Sequence, residues 1–206
     1  MKKAAMFGLD ARIALAIFGA LSVISGAALY SAISNAKATA LLTEMREVGK
    51  AWEAYLLDTG SNLPQRDSSV NTDYKFYTLQ IENLIENAAS VANWNGPYIS
   101  YSKDDTYRLD GANGTFVYAL TLNDASTWGD GTTTSWSPAG HCSAGNNCFL
   151  WISFNKIDSK ETLQKIDELV DGSVDGDAGS FRWYYENATF KHNALLKIAP
   201  VTNPLG

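Results

Sequence analysis

Residues 1–30, MKKAAMFGLDARIALAIFGALSVISGAALY, predict the main architectural element of this chain. Lys2 and Lys3 form a short basic leader, Asp10 is the first acid, and residues 13–30 carry no charge. As a helix, that run of about 18 residues would span about 27 Å, close to the hydrocarbon thickness of a bilayer. The stretch therefore predicts a membrane segment over about residues 13–30.

Asp10 lies at the edge of this membrane segment, where an unpaired charge is costly. One interpretation is a carboxylate with a dedicated counter-charge. The other is a charge at the cytoplasmic headgroup level together with Arg12, which is long enough to snorkel to the interface. Because Lys2 and Lys3 favour a cytoplasmic N-terminus, the rest of the chain is expected outside the cytoplasm.

Helical periodicity continues beyond the membrane segment. One apolar stripe recurs at steps of four and three residues: Leu41, Met45, Val48, Trp52 and Tyr55. No proline occurs before Pro64, and Gly60 stands where a C-cap belongs. The pattern predicts one helix over about residues 6–58, apolar all round in its first half and packed through the stripe in its second.

Residues 59–206 are expected to form a globular head. A short helix is predicted at residues 79–85, and a longer one from Asp158, with Glu161 three residues on, to about Val170. Alternating or aromatic-rich runs predict four strands, at residues 115–122, 149–154, 181–186 and 194–198. The fold class is therefore α+β: a long N-terminal helix packed on a small, mainly antiparallel β-sheet domain.

Composition limits the function. The 206 residues carry a net charge of −6, which argues against nucleic acid as a partner. The chain contains none of the motifs G-x-S-x-G, H-E-x-x-H or G-x-G-x-x-G, nor a P-loop, so we do not expect an enzyme. Cys142 and Cys148 predict a structural disulfide in an exported head, whose short loop contributes about 2 kcal/mol.

The N-terminal motif resembles that of type IV pilins and type II secretion pseudopilins. It is Ala5-Met6-Phe7-Gly8-Leu9-Asp10, followed by the apolar helix with Gly19. Two further patches are similar to pseudopilin sequences: Trp94-Asn-Gly-Pro-Tyr98, and residues 165–172 with Gly179. In that family a prepilin peptidase removes the leader, the new N-terminus is methylated, and the fifth mature residue is a glutamate.

The resemblance implies a leader of residues 1–5, cleavage between Ala5 and Met6, and methylation of Met6. Asp10 then occupies the fifth mature position and pairs with the new amine of Met6, in its own or a neighbouring subunit. Two positions depart from the family: Ala5 replaces the usual glycine before the cut, and Asp10 replaces the glutamate. A cut after Gly8 would instead place Ile13 at the fifth position.

The resemblance also implies a role and a set of partners. The chain would be a structural subunit of a type IV pilus or pseudopilus-like filament, assembled from copies of itself and other pilin subunits. Its other partners would be the prepilin peptidase, an inner-membrane assembly platform and, before assembly, the lipid bilayer. The precursor would lie in a bacterial inner membrane, and the filament would be extracellular or would span the periplasm.

No cofactor is required by this interpretation, but calcium is a candidate ligand. Asp171, Asp175 and Asp177 lie in one glycine-rich loop, and calcium favours flexible loops rich in oxygen ligands. Some pseudopilins carry structural calcium. The alternative is a solvated acidic loop, because the spacing does not match an EF-hand.

Two other interpretations remain open. Ala36-Lys37-Ala38 is an A-x-A signal-peptidase pattern, so an exported binding protein or small hydrolase would begin at Thr39. A single-pass anchored domain, never cleaved, would retain Met1 and serve as a sensor or a scaffold partner.

Overall fold

The computed structural model describes residues 4–66, 78–125, 140, 142, 144–186 and 189–203. Helix α1 (Ala4–Thr59) is continuous over 56 residues and about 84 Å long. Of the expected leader, Ala4 and Ala5 are helical and Met1–Lys3 lie outside the described residues. The long apolar N-terminal helix is thus confirmed.

The two halves of α1 differ in burial. Residues 10–33, called here the free half, are exposed throughout. Residues 34–59, the packed half, bury one face against the head. Four of the five predicted stripe residues are buried, namely Met45, Val48, Trp52 and Tyr55. The fifth, Leu41, is partly buried against the same core. The helical period therefore predicted the packed face correctly.

The head contains a six-stranded sheet in which every neighbouring pair is antiparallel. The strands are β1 (Ser102–Asp105), β2 (Arg108–Asp110), β3 (Phe116–Asn123), β4 (Cys148–Ile157), β5 (Phe181–Glu186) and β6 (Lys191–Val201). Their order is β1-β2-β3-β4-β6-β5. Helix α2 (Lys160–Asp171) connects β4 to β5. This arrangement confirms the α+β class and the mainly antiparallel sheet.

The two faces of the sheet belong to different clusters because successive side chains of a strand point to opposite sides. The main core joins α1, α2 and the inner face, with Leu163 and Ile166 from α2. A smaller cluster occupies the outer face: Leu120, Leu122, Trp151, Tyr184 and Leu195. Both helices therefore pack on the inner face, and the free half of α1 projects from the head.

Three local features differ from the sequence-based expectation. β1 and β2 were not predicted, because SKDD and RLD show no apolar alternation. The expected helix at residues 79–85 is a single 3-10 turn, Ile81–Leu84. The N-cap of α2 is Ser159 rather than Asp158: the Ser159 side chain accepts a hydrogen bond from the Thr162 N–H.

Candidate functional site: the free half of α1 and the acidic loop

The free half of α1 is the part of the molecule that the head does not cover. Its large apolar side chains are about half to three-quarters exposed, for example Ile17 (56%), Leu21 (58%) and Val23 (72%). By length and composition, one described helix is apolar enough to cross a membrane, and it is this one. An exposed apolar surface of this extent is typical of a segment that contacts lipid or another protein, or of a signal sequence.

Two charges interrupt the apolar surface. Asp10 and Arg12 are the only charged residues between Lys3 and Lys37, and both are exposed. At about 100° per residue they point about 200° apart, to opposite sides of α1. Neither side chain has an ion pair or hydrogen bond with another described residue. Each charge is therefore without a partner in the part of the chain that the structure describes.

The expected processing bond lies near the start of α1. The backbone of Ala5 and Met6 is helical, and their side chains are outside the described part. From Met6, Asp10 is four residues along, one helical turn. A carboxylate one turn from an exposed amine is close enough to pair with it, within one chain or between adjacent chains.

The packed half of α1 is bound to the head by polar contacts as well as by its stripe. Lys165 Nζ of α2 donates to Asn35 Oδ1 at 2.7 Å. The Tyr101 hydroxyl donates to Glu44 Oε1 at 2.7 Å, and burial, followed by the Glu44 carboxylate, raises the pKa of Tyr101. Trp52 Nε1 donates to Asn62 Oδ1 at 2.8 Å. The head thus holds α1 firmly from Asn35 onward.

The residues Trp94–Tyr98 form an irregular segment against the C-terminal end of α1. Tyr98 packs edge-on against Tyr55, with ring centroids 5.7 Å apart, and its hydroxyl donates to Asp58 Oδ2 at 3.0 Å. Trp94 Nε1 donates to the Asn83 carbonyl at 2.7 Å. This segment fastens the last turns of α1 to the head.

Cys142 and Cys148 form a disulfide, with their Cα atoms 5.8 Å apart. Both residues are buried, and Cys148 is the first residue of β4. The bond therefore ties the end of the long β3–β4 connection to the sheet. Most of that connection, residues 126–139, lies outside the described part of the chain.

The acidic loop (residues 172–180) joins α2 to β5 and is held by carboxylates. Asp171 accepts hydrogen bonds from the Ser180 N–H at 2.9 Å and the Phe181 N–H at 2.8 Å. Asp175 accepts from the Ala178 N–H at 2.9 Å. The Gly176 carbonyl accepts a hydrogen bond from the Trp183 N–H at 3.1 Å. This hydrogen bond satisfies one backbone donor on the outer edge of β5.

The three candidate calcium ligands do not share one setting: Asp171 is the last residue of α2, and only Asp175 and Asp177 lie in the acidic loop. Asp171 is partly buried, whereas Asp175 and Asp177 are exposed. Among the described residues, no group of three or more His, Cys, Asp or Glu side chains could hold a metal ion. Calcium binding stays a prediction. The Asp171 and Asp175 carboxylates accept hydrogen bonds from backbone N–H groups of residues 178–181.

Asp167 is a buried acid that sequence reasoning missed. It is 1% exposed and accepts a hydrogen bond from Trp183 Nε1 at 3.0 Å. Burial, together with the nearby carboxylates of Asp171 and Asp175, raises its pKa from 3.8 to about 6. Its position four residues after the buried Leu163 is the signal that could have revealed it.

A second buried carboxylate stabilises the opposite edge of the head. Glu82 is 4% exposed and forms an ion pair with Lys103 of β1. Lys103 also pairs with the exposed Glu86 at 2.6 Å, and these carboxylates raise the pKa of its ammonium group. The lysine therefore joins strand β1 to the turn Ile81–Leu84.

An open groove of about 440 Å³ runs between the packed half of α1 and the β4–α2 junction. Its charged and amide side chains are Lys37, Glu44, Asn113, Lys156 and Asp158. Three of these have partners: Glu44 accepts from Tyr101, Asp158 pairs with Lys191, and Lys156 lies over the Phe116 ring. The groove thus mixes both signs of charge and selects no single class of ligand.

No family model, curated protein sequence or solved structure matches this chain.

Proposed function

We propose that this protein is a structural subunit of a type IV pilus or pseudopilus-like filament, polymerised through the free half of α1. The supporting observation is the division of α1. One continuous helix buries its second half in the head and leaves an apolar first half uncovered. Such a helix suits storage in a bilayer followed by packing against copies of itself, where apolar burial drives association.

Because of Asp10, filament assembly would depend on cleavage of the leader peptide. A carboxylate moved into an apolar filament core loses hydration worth several kcal/mol unless it is paired. The amine of Met6, one turn away, exists only after a cut between Ala5 and Met6. Under this proposal a prepilin peptidase creates the counter-charge, so uncut subunits pack less well than processed ones.

The packing of α1 favours this proposal over cleavage by an ordinary signal peptidase after Ala38. Ala38 is buried in the core, inside the unbroken helix. A cut there would also remove Asn35, which binds Lys165 of α2.

An anchored binding domain is the second candidate, and the groove beside α1 is the observation that favours it.

The mass of the native mature chain tests the proposal. We expect a protein that begins at Met6 and carries an N-terminal methyl group, measured by intact mass and confirmed by N-terminal sequencing. A start at Thr39 would establish the exported protein, and a retained Met1 would establish the uncut anchor. Either result contradicts the filament proposal.

An Asp10→Ala variant tests the assembly charge. We expect normal membrane insertion and cleavage, with a strong loss of sheared filaments. Glu53→Ala is the matched control, because Glu53 is an exposed acid on the packed half of the same helix. A normal filament yield from Asp10→Ala would refute the pairing role.

A further inference from the structure

We propose that Arg12 of one copy forms an ion pair with Asp10 of the adjacent copy, so that free halves associate face to opposite face. The inference rests on the proposed filament function and names the contact that orders it. Asp10 and Arg12 are exposed, lack partners in the described part of this chain, and are the only charges between Lys3 and Lys37. Their charges are opposite, so the surface is complementary to itself.

The angular separation of these residues excludes a pair within one helix and favours a pair between helices. Residues two apart on a helix do not face each other. A parallel neighbour on the Arg12 side presents its own Asp10 side, and that neighbour's Arg12 points onward to a third copy. Contacts between two different faces form a closed ring if the rotation between copies closes and an open helical assembly if it does not, so they are compatible with a filament.

Side chains of different size occur on both faces of the free half. Counted at about 100° per residue, the Arg12 face carries the small residues Ala16, Gly19 and Gly26 beside the larger Val23 and Tyr30. The Asp10 face carries the larger Ile17, Leu21 and Ile24 beside Ala14 and Ala28. A Cβ added at Gly19 or Gly26 would meet no atom of this chain within 4 Å, so packing within the chain does not require these glycines. Small residues on one helix allow a neighbouring helix to approach closely.

Arg12 complements the processed N-terminus rather than replacing it. An ionised carboxylate accepts several hydrogen bonds, so Asp10 can bind a neighbour's guanidinium and an amine together. Arginine is always charged and offers a planar set of donors that matches a carboxylate. The Arg12 contact therefore fixes which neighbour binds, whereas the amine reports that cleavage has occurred.

Cysteine pairing in the full-length protein tests the geometry. Two versions of the chain, one with Leu21→Cys on the Asp10 face and one with Val23→Cys on the Arg12 face, keep both charges. They are expressed together and separately with different tags, and assembled filaments are oxidised. The native cysteines are already bonded to each other. We expect mixed dimers to exceed same-variant dimers by roughly tenfold. Same-variant dimers in equal or greater amount would overturn the proposal, since they require like faces to meet.

Charge variants separate this inference from the proposed function. We expect Arg12→Gln to lower filament yield roughly tenfold and Arg12→Lys to retain most of it. Protease accessibility of the head verifies insertion, and Lys2 and Lys3 remain to orient the helix. If Arg12→Gln assembles normally while Asp10→Ala does not, the Arg12 contact is wrong and the filament function stands. If both assemble normally, the Arg12 contact and the pairing role of Asp10 are both refuted, whereas a wild-type chain that forms no filaments refutes the proposed function.

Discussion

Trp183 of β5 donates its indole N–H to Oδ2 of Asp167 across 3.0 Å, on the buried side of α2. The Asp175 N–H also donates to this carboxyl group. These hydrogen bonds favour the ionised form of Asp167, but burial outweighs them and raises its pKa to about 6. At neutral pH, burial of the ionised Asp167, which joins α2, β5 and the acidic loop, therefore lowers the free energy of unfolding.

This cost predicts a pH dependence of stability. Because the folded pKa of Asp167 lies above its usual 3.8, the folded state binds the proton more tightly than the unfolded state. The stabilising contribution is complete below about pH 4 and is lost as pH rises through about 6. The loss is on the order of 3 kcal/mol. Asp167→Asn is expected to flatten this part of the profile in denaturant titrations.

The control for this experiment is Glu168→Gln, which removes an exposed acid from the neighbouring position of α2. Its profile between pH 4 and pH 7 is expected to follow the wild-type profile. If Asp167→Asn keeps the wild-type slope, burial of Asp167 does not shape the pH response of the head.

Gly179 is predicted to be harder to replace than Gly172, the first residue of the acidic loop. Its φ is +78°, and a Cβ there would lie 2.5 Å from Asp171 Oδ2. Gly179→Ala would therefore strain the backbone and push away the carboxylate that binds the Ser180 and Phe181 amides. Strain and the weakened hydrogen bonds should together cost about 2–4 kcal/mol in denaturant-induced unfolding.

Gly172→Ala is the matched control for Gly179→Ala. Its φ is +75°, but a Cβ there would meet no atom within 4 Å. Backbone strain alone should cost about 1–2 kcal/mol. Equal losses in the two variants would show that the contact with Asp171 contributes nothing beyond the backbone conformation.

The N-cap of α2 distinguishes two adjacent residues. Ser159→Ala removes the acceptor of the Thr162 N–H and should lower the free energy of unfolding by about 1 kcal/mol. Asp158→Ala removes only an exposed ion pair with Lys191 and should change it by less than about 0.5 kcal/mol. Thermal or chemical unfolding of both variants compares them, and a larger loss from Asp158→Ala would contradict the assignment of the cap.

The disulfide is predicted to stabilise the head by about 2 kcal/mol, because it closes only a short loop of the unfolded chain. The Cys142→Ser/Cys148→Ser double variant should lose that amount in denaturant titrations. Reduction of the wild-type protein should produce the same loss, and the variant should not respond to reductant. An unchanged wild-type midpoint under reducing conditions would show that the bond does not constrain the unfolded chain.

The elements that could be predicted from sequence are those with a long and regular apolar pattern. The stripe on α1 and the four longer strands rest on apolar periodicity, which the sequence shows directly. β1 and β2 are short and charged, and they are strands because neighbouring segments offer them backbone partners. Cap assignment failed at Asp158 because local preference does not distinguish two adjacent capping residues.

For the candidate site, the amino-acid pattern alone predicted an apolar helix with one acid and one arginine near its start, an apolar stripe that packs, and a pair of cysteines. These features follow from composition and spacing along a single element. Three further features became visible once the chain was folded: the head leaves residues 10–33 uncovered, Asp167 is buried and bonded to Trp183, and Asp171 binds the Ser180 and Phe181 amides. Burial and hydrogen bonding depend on which distant segments of the chain meet after folding, and the type of a charged residue does not specify its partner.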